Sequence, residues 1–350
     1  MSPRRLAVAG GRVRPVIGRV SGPLALVRER PLFVAPLEAW FGLRPGDRTL
    51  VAPGESVVRG AQLAERFRDR RTDVVEGPAG DGAEPGSWWT GSPSRRDRSG
   101  EPPSGELLFR AGGRWRVASG EPADALEAPF AGIVREVRPG AGIAVGGLGR
   151  GLIGTDVLGG PVTGRLQIAA PRDGHLRASA IDVGAAGAIL VVGARIDAEA
   201  ITRARAVGVR GMVVAGLGVK ERREVLASER RSQAGTHGLP PFAVLVLDGA
   251  IGRPIATPVM AVLEALQGST VAIVDMPPCL ALDDGAIAVP APAPDLVRVV
   301  AGPLAGAEGR WTGLAGPHRF AGGVILEACW VELDGGARIA IPLGDLERYT

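Results

Sequence analysis

Asp248 and Asp275 each close a run of apolar, largely β-branched residues, Phe242-AVLVL-Asp248 and Val271-AIV-Asp275. Two carboxylates at the ends of neighbouring strands can work as an acid–base or metal-holding pair when the strands bring them together. The competing reading is turn capping, which aspartates at such positions commonly do. Gly193, Gly216, Gly218 and Gly252 stand near them, with backbone amides that could approach an anion, and Arg195, Lys220 and Arg253 could supply charge. That chemistry would be the binding of a small anionic ligand. Gly-x-Gly-x-x-Gly does not follow the first strand, and Gly-x-x-x-x-Gly-Lys-Ser/Thr occurs nowhere. His175, His237 and His318 lie far apart, without metal-ligand spacing. His237 leads into the amino end of a strand, away from the expected site. Cys279 and Cys329 are too few for a disulfide framework or a four-ligand metal site and suit burial as small apolar residues. The sequence assigns no catalytic residue, cofactor or metal.

A sheet has to position these residues. Four short apolar runs between residues 187 and 275, separated by helical patterns, read as a parallel sheet covered by helices. Asp197 caps the first helix, with Glu199 in its first turn and Gly208 at its end; Val219-KERREVLASERR forms a charged second helix. Thr257 caps the third, with Pro258 at its first position. Right-handed crossovers then give a small Rossmann-like or flavodoxin-like domain over 183–280, whose ligands bind outside the carboxyl ends of the strands.

The fold class is multidomain, α/β plus all-β. At 350 residues the chain has room for two or three domains. No apolar run reaches the ~18 residues that span a bilayer, so no membrane insertion and a cytoplasmic location are expected. The pI of about 9.9 accompanies a net charge of only +4 and a single lysine, Lys220. That arginine excess, with 53 glycines and 29 prolines, fits a GC-rich coding sequence and is weak evidence for a polyanionic partner. Residues 1–148 are β-rich, with hairpins read around Pro53-Gly54 and at Gly112-Gly113 and a disordered insert over 70–105. Within that insert, Trp88-Trp89 could dock onto a domain or a partner. Residues 149–182 read as an irregular β connector, 281–294 as a Pro/Ala linker and 295–350 as strands with glycine turns.

Two stretches resemble known families. Val51-APGESVVRGAQLA and Ala128-PFAGIVREVRPG look like the halves of a barrel-sandwich hybrid, the fold of biotinyl and lipoyl carrier domains. Those carriers need a lysine at a hairpin tip; Lys220 lies far outside the region, so covalent carriage is excluded. Val297-RVVAGPLAGAEGRWTGL is similar to a KOW motif, which opens the SH3-like barrel of certain ribosomal and transcription elongation proteins, and Asp334-Gly335 supplies a hairpin turn. The resemblance implies contact with RNA, the ribosome or a protein complex. Arg298, Arg310, His318, Arg319 and Arg338 are the candidate contacts, with neighbouring carboxylates diluting the positive field. Trp311 and Trp330 fall in strand patterns and read as barrel core.

The expectation is a non-catalytic binding or scaffold protein whose tail engages RNA or a protein complex. The alternatives are an anionic-ligand-binding or enzymatic α/β domain using the strand-end rim, and a structural assembly subunit. The sequence names no ligand or oligomeric state.

Overall fold

The computed structural model describes residues 23–43, 47–67, 71–75, 88–89, 105–111, 114–119, 122–138, 141–233, 241–282 and 291–350. His237 and the Gly112-Gly113 turn lie outside them. The described residues are mostly β, 46% strand and 17% helix, and contain a curled half-barrel sheet. No described helix is long and apolar enough to cross a membrane. Two compact units result: residues 30–292 with 349–350, and residues 1–29 with 293–348.

The larger unit is built on a nine-stranded sheet. Its central strand is Val162–Ile168, drawn from the segment read as an irregular connector. Thr163, Arg165 and Gln167 alternate with its more buried positions, the pattern of a half-buried strand rather than of one at the centre of a sheet. On one side the strands Ala188–Val191, Gly211–Val214 and Ala243–Val246 add in parallel register. Every residue of these three is buried, as expected of strands covered on both faces.

Three helices accompany them. In α1 (Ala198–Val207), Asp197 Oδ1 accepts from the Ala200 N–H at 2.7 Å, and Gly208 ends the helix in the left-handed region at φ 92°. α2 spans Val219–Gln233. α3 spans Thr257–Ala265, and its N-cap is Ala256, one residue earlier than the sequence suggested; the Thr257 hydroxyl accepts from Arg172.

The fourth run reverses direction. Thr270–Asp275 pairs antiparallel with the central strand, Val162 opposite Ile273 and Arg165 opposite Thr270. After α3, the Gly268 N–H bonds to the Leu166 carbonyl, the Leu166 N–H to the Ser269 carbonyl, and the Gln267 side chain to the Ile168 N–H. The chain therefore re-enters at the carboxyl end of the central strand and runs back along it.

The β-rich residues 37–147 share one core with this sheet: Leu37, Phe41, Val134, Ile143 and Val145 pack with Ala272, Val274 and Cys279. The Pro53-Gly54 hairpin departs from expectation. Arg48–Thr49 pairs with Gln62–Phe67, while Ser56–Val57 joins Gly132–Arg138 in another sheet. Parts of the expected disordered insert are strands as well: Arg71–Val75 pairs with Arg114–Ser119, and Trp88–Trp89 with residues 105–106. The expected linker begins late, since Ala281 ends a strand and Leu282 is buried in the core.

In the smaller unit, Leu296–Val299, Glu308–Arg319, Ile325–Leu333 and Arg338–Pro342 follow one another in antiparallel register. Val27, Val297, Cys329, Val331 and Ile341 form the core. Arg298 is not a surface contact. It is only 3% exposed, with Glu308 opposite it on one neighbouring strand and Glu347 on the other, and its guanidinium lies 3.8 Å from Glu347. A buried cation between two buried carboxylates fixes strand register, since a one-residue slip would turn Arg298 to the opposite face and leave the carboxylates buried without it.

Replacing Arg298 by methionine should therefore cost about 3–5 kcal/mol. Urea denaturation is the check, and an unchanged midpoint would refute the role given to this cation.

Candidate functional site

The rim at the carboxyl ends of the parallel strands is packed shut by protein. A Cβ on Gly193 (φ 80°) would come within 2.5 Å of the Pro171 carbonyl oxygen. One on Gly216 would lie 2.3 Å from the Ile251 carbonyl, and one on Gly252 would strike the stem of Arg195. The glycines thus let backbone segments close on one another, and their carbonyls and amides pair internally: Ala215 N–H with Gly193 O at 3.0 Å, Leu217 N–H with Gly249 O at 2.9 Å. At Gly218 the occupant is Glu221, whose carboxylate lies 2.5 Å from where a Cβ would stand. A carboxylate in the first turn of α2 takes the place an anionic ligand would want.

Asp248 is likewise committed. Its carboxylate is 6% exposed and meets the Arg30 guanidinium at 2.7 Å, and Arg30 also donates to the Leu247 carbonyl and lies over the Tyr349 ring. Arg195 is exposed and Arg253 half-buried beside these loops. The rim gathers Gly193, Arg195, Gly216, Gly218, Asp248, Gly252 and Arg253 but leaves little room among them.

Asp275 does not belong to the rim. Because its strand runs antiparallel, it lies at the opposite end of the sheet from Asp248, and the two carboxylates cannot act as a pair. It sits where the sheet meets the β-rich residues: the Glu38 N–H donates to the Met276 carbonyl at 2.7 Å, and Cys279 is nearby. Burial pushes the Asp275 carboxyl above its ordinary value, with the Glu38 charge adding to the rise, and backbone hydrogen bonds at Asp275 and Trp40 oppose it. Its Oδ1 is buried without a hydrogen-bond partner. Burial and the Asp275 charge push the Cys279 thiol up to about 12, so it is not a nucleophile at neutral pH.

The smaller unit presents the other candidate surface. Glu308–Arg319 and Ile325–Leu333 form a long hairpin, with bulges at Trp311/Gly313 and Leu314/Gly316. Cys329 and Val331 face the core, while Trp330 sits half-buried on the outer face with the Arg338 guanidinium 5.0 Å over its ring. His318 meets both Trp330, at 6.1 Å, and Phe320, at 5.1 Å, edge to face. Leu326, opposite His318, is 43% exposed, and Val324 and Ile325 are more so. Arg319 is exposed near the hairpin tip, and Arg310 is 76% exposed, 3.8 Å from Asp295. The hairpin thus joins His318 and Arg338 into one aromatic strip, while Arg310 and Arg319 stand at the two ends of the same strand. Sequence reasoning missed Trp330, Phe320 and Leu326 as surface residues; the signal available was the run of apolar residues at 324–326, too long for a half-buried strand end.

A scan against protein-family models and a search of the curated proteins both find no match for the chain.

The Asp275 carboxyl titrates above its unfolded value, so its ionised form opposes folding, and that cost disappears as pH falls through the folded value. Asp275→Asn should raise the melting temperature at neutral pH, and the gain should shrink as pH is lowered towards 4. A gain independent of pH, or a loss at neutral pH, would contradict this account of the seam.

Proposed function

We propose that the chain is a non-catalytic binding protein whose C-terminal sheet, read as a KOW-like SH3 barrel, holds a protein partner against the outer face of its long hairpin. The observation that carries this reading is the strip of Leu326, His318, Phe320, Trp330 and Arg338, which joins apolar area to aromatic rings and an arginine at the surface. Protein interfaces are enriched in such residues, whereas isolated exposed leucines need no explanation.

Charge favours protein over RNA. Residues 295–350 carry five arginines and seven carboxylates, and Glu327 and Glu332 lie in the same strand as Trp330. A field of that sign does not attract phosphates, while mixed charge around an apolar centre suits a protein surface. The larger unit, a barrel-sandwich-like β region merged with a Rossmann-like set of parallel strands, serves in this reading as the scaffold that carries the binding unit. The shared core of residues 37–147 with the strand Thr270–Asp275 supports that role.

The test is capture from a source-cell lysate with wild-type protein, Leu326→Glu, and the double variant Arg310→Ala/Arg319→Ala. Partners retained after ribonuclease treatment and lost with Leu326→Glu are expected. Retention abolished by ribonuclease and by the arginine variant would replace this reading with RNA binding.

A further inference from the structure

The amino ends of the parallel strands, opposite the closed rim, border a cleft of ≈ 270 Å³. Pro161 stands immediately before the central strand and Phe242 immediately before the strand Ala243–Val246; Phe41 and Leu126 approach from the β-rich residues. These four are buried side chains, and together they make an apolar floor. Arg66 and Glu229 bring the two charged groups of the lining. A smaller recess of ≈ 80 Å³ shares Phe41, Leu126 and Pro161 and adds Thr163 and Arg210.

Both charges in the lining are already matched. The Arg66 guanidinium donates to Asp47 at 2.9 and 3.1 Å and to the Gly42 carbonyl at 3.0 Å, and the Asp47 side chain is 1% exposed. Glu229 pairs with the buried Arg205 at 3.7 Å, and that guanidinium lies over the Phe242 ring at 5.0 Å. An anion would meet the Glu229 carboxylate while the Arg66 charge is already offset by Asp47, so its own charge would be left uncompensated. An uncharged ligand meets no such cost and can still use the polar edge, since Glu229 accepts from a ring N–H and Arg66 has further N–H donors to offer a ring nitrogen or carbonyl. Size narrows the class: an apolar cavity of about 150 Å³ takes benzene, so one of ≈ 270 Å³ suits two fused rings. Aromatic rings in the floor favour a flat, aromatic occupant.

We infer that this cleft is a binding site for an uncharged bicyclic heteroaromatic molecule. The inference goes beyond the partner-binding hairpin and does not depend on it.

The experiment uses the full chain with indole and adenine as probes and inorganic phosphate as the anionic competitor, read by saturation-transfer NMR and by melting temperature. Gly160 lines the cleft, and a Cβ built on it meets nothing within 4 Å, so Gly160→Leu should fill the space without disturbing the fold. Wild type should show saturation transfer to at least one ring probe and a raised melting temperature, phosphate should not displace the probe, and Gly160→Leu should lose the signal. Should Gly160→Leu fail to fold, Leu126→Ala enlarges the cleft and should shift the preference towards a three-ring ligand such as acridone. Absence of saturation transfer to both probes, persistence of the signal in Gly160→Leu, an unchanged preference in Leu126→Ala, or displacement by phosphate would each overturn the inference.

Discussion

The strand Val162–Ile168 has a parallel partner on one edge and an antiparallel partner on the other, and the larger unit depends on that asymmetry. On the parallel side, three fully buried strands require helices on both faces, which α1, α2 and α3 provide. On the antiparallel side, Thr270–Asp275 offers Ala272 and Val274 to the core formed by Leu37, Phe41, Val134 and Ile143. One face of this strand packs under α3 and the other under the β-rich residues. The merging of these parts into one unit is thus a consequence of strand direction.

The same asymmetry decides where open space is left. At the carboxyl ends of the parallel strands, glycines allow backbone to close against backbone, and Arg30 neutralises Asp248. At the amino ends, Pro161 and Phe242 meet side chains from the β-rich residues across a cleft. Buried ion pairs recur as fasteners: Arg30 with Asp248, Arg66 with Asp47, Arg205 with Glu229, and Arg298 with Glu347. Each costs desolvation and yields little net stability, but each admits only one arrangement of the elements it joins. Arginine suits the task, being always charged and able to donate in several directions at once.

Local patterns were legible where one element satisfied its own requirements. Asp197 and Gly208 mark the ends of α1 in the sequence and in the structure, because capping involves only the next few backbone groups. The central place of Val162–Ile168 was not legible because its alternation of apolar and polar residues marks a half-buried strand, and its position comes from neighbours distant in the chain. Trp330 was read as core because an aromatic in a strand pattern carries no label for its face; the bulged hairpin turns it outward, beside His318 and Arg338.

By itself the sequence determined the apolar runs, the three helices and both caps of α1, since each follows from residue type and short-range geometry. Only the tertiary structure decided that Asp248 and Asp275 stand at opposite ends of the sheet, that Arg298 is buried, and that the cleft lies at the amino ends of the strands. Strand direction and pairing partner are set by contacts between residues up to hundreds of positions apart, and periodicity is the same whichever way a strand runs.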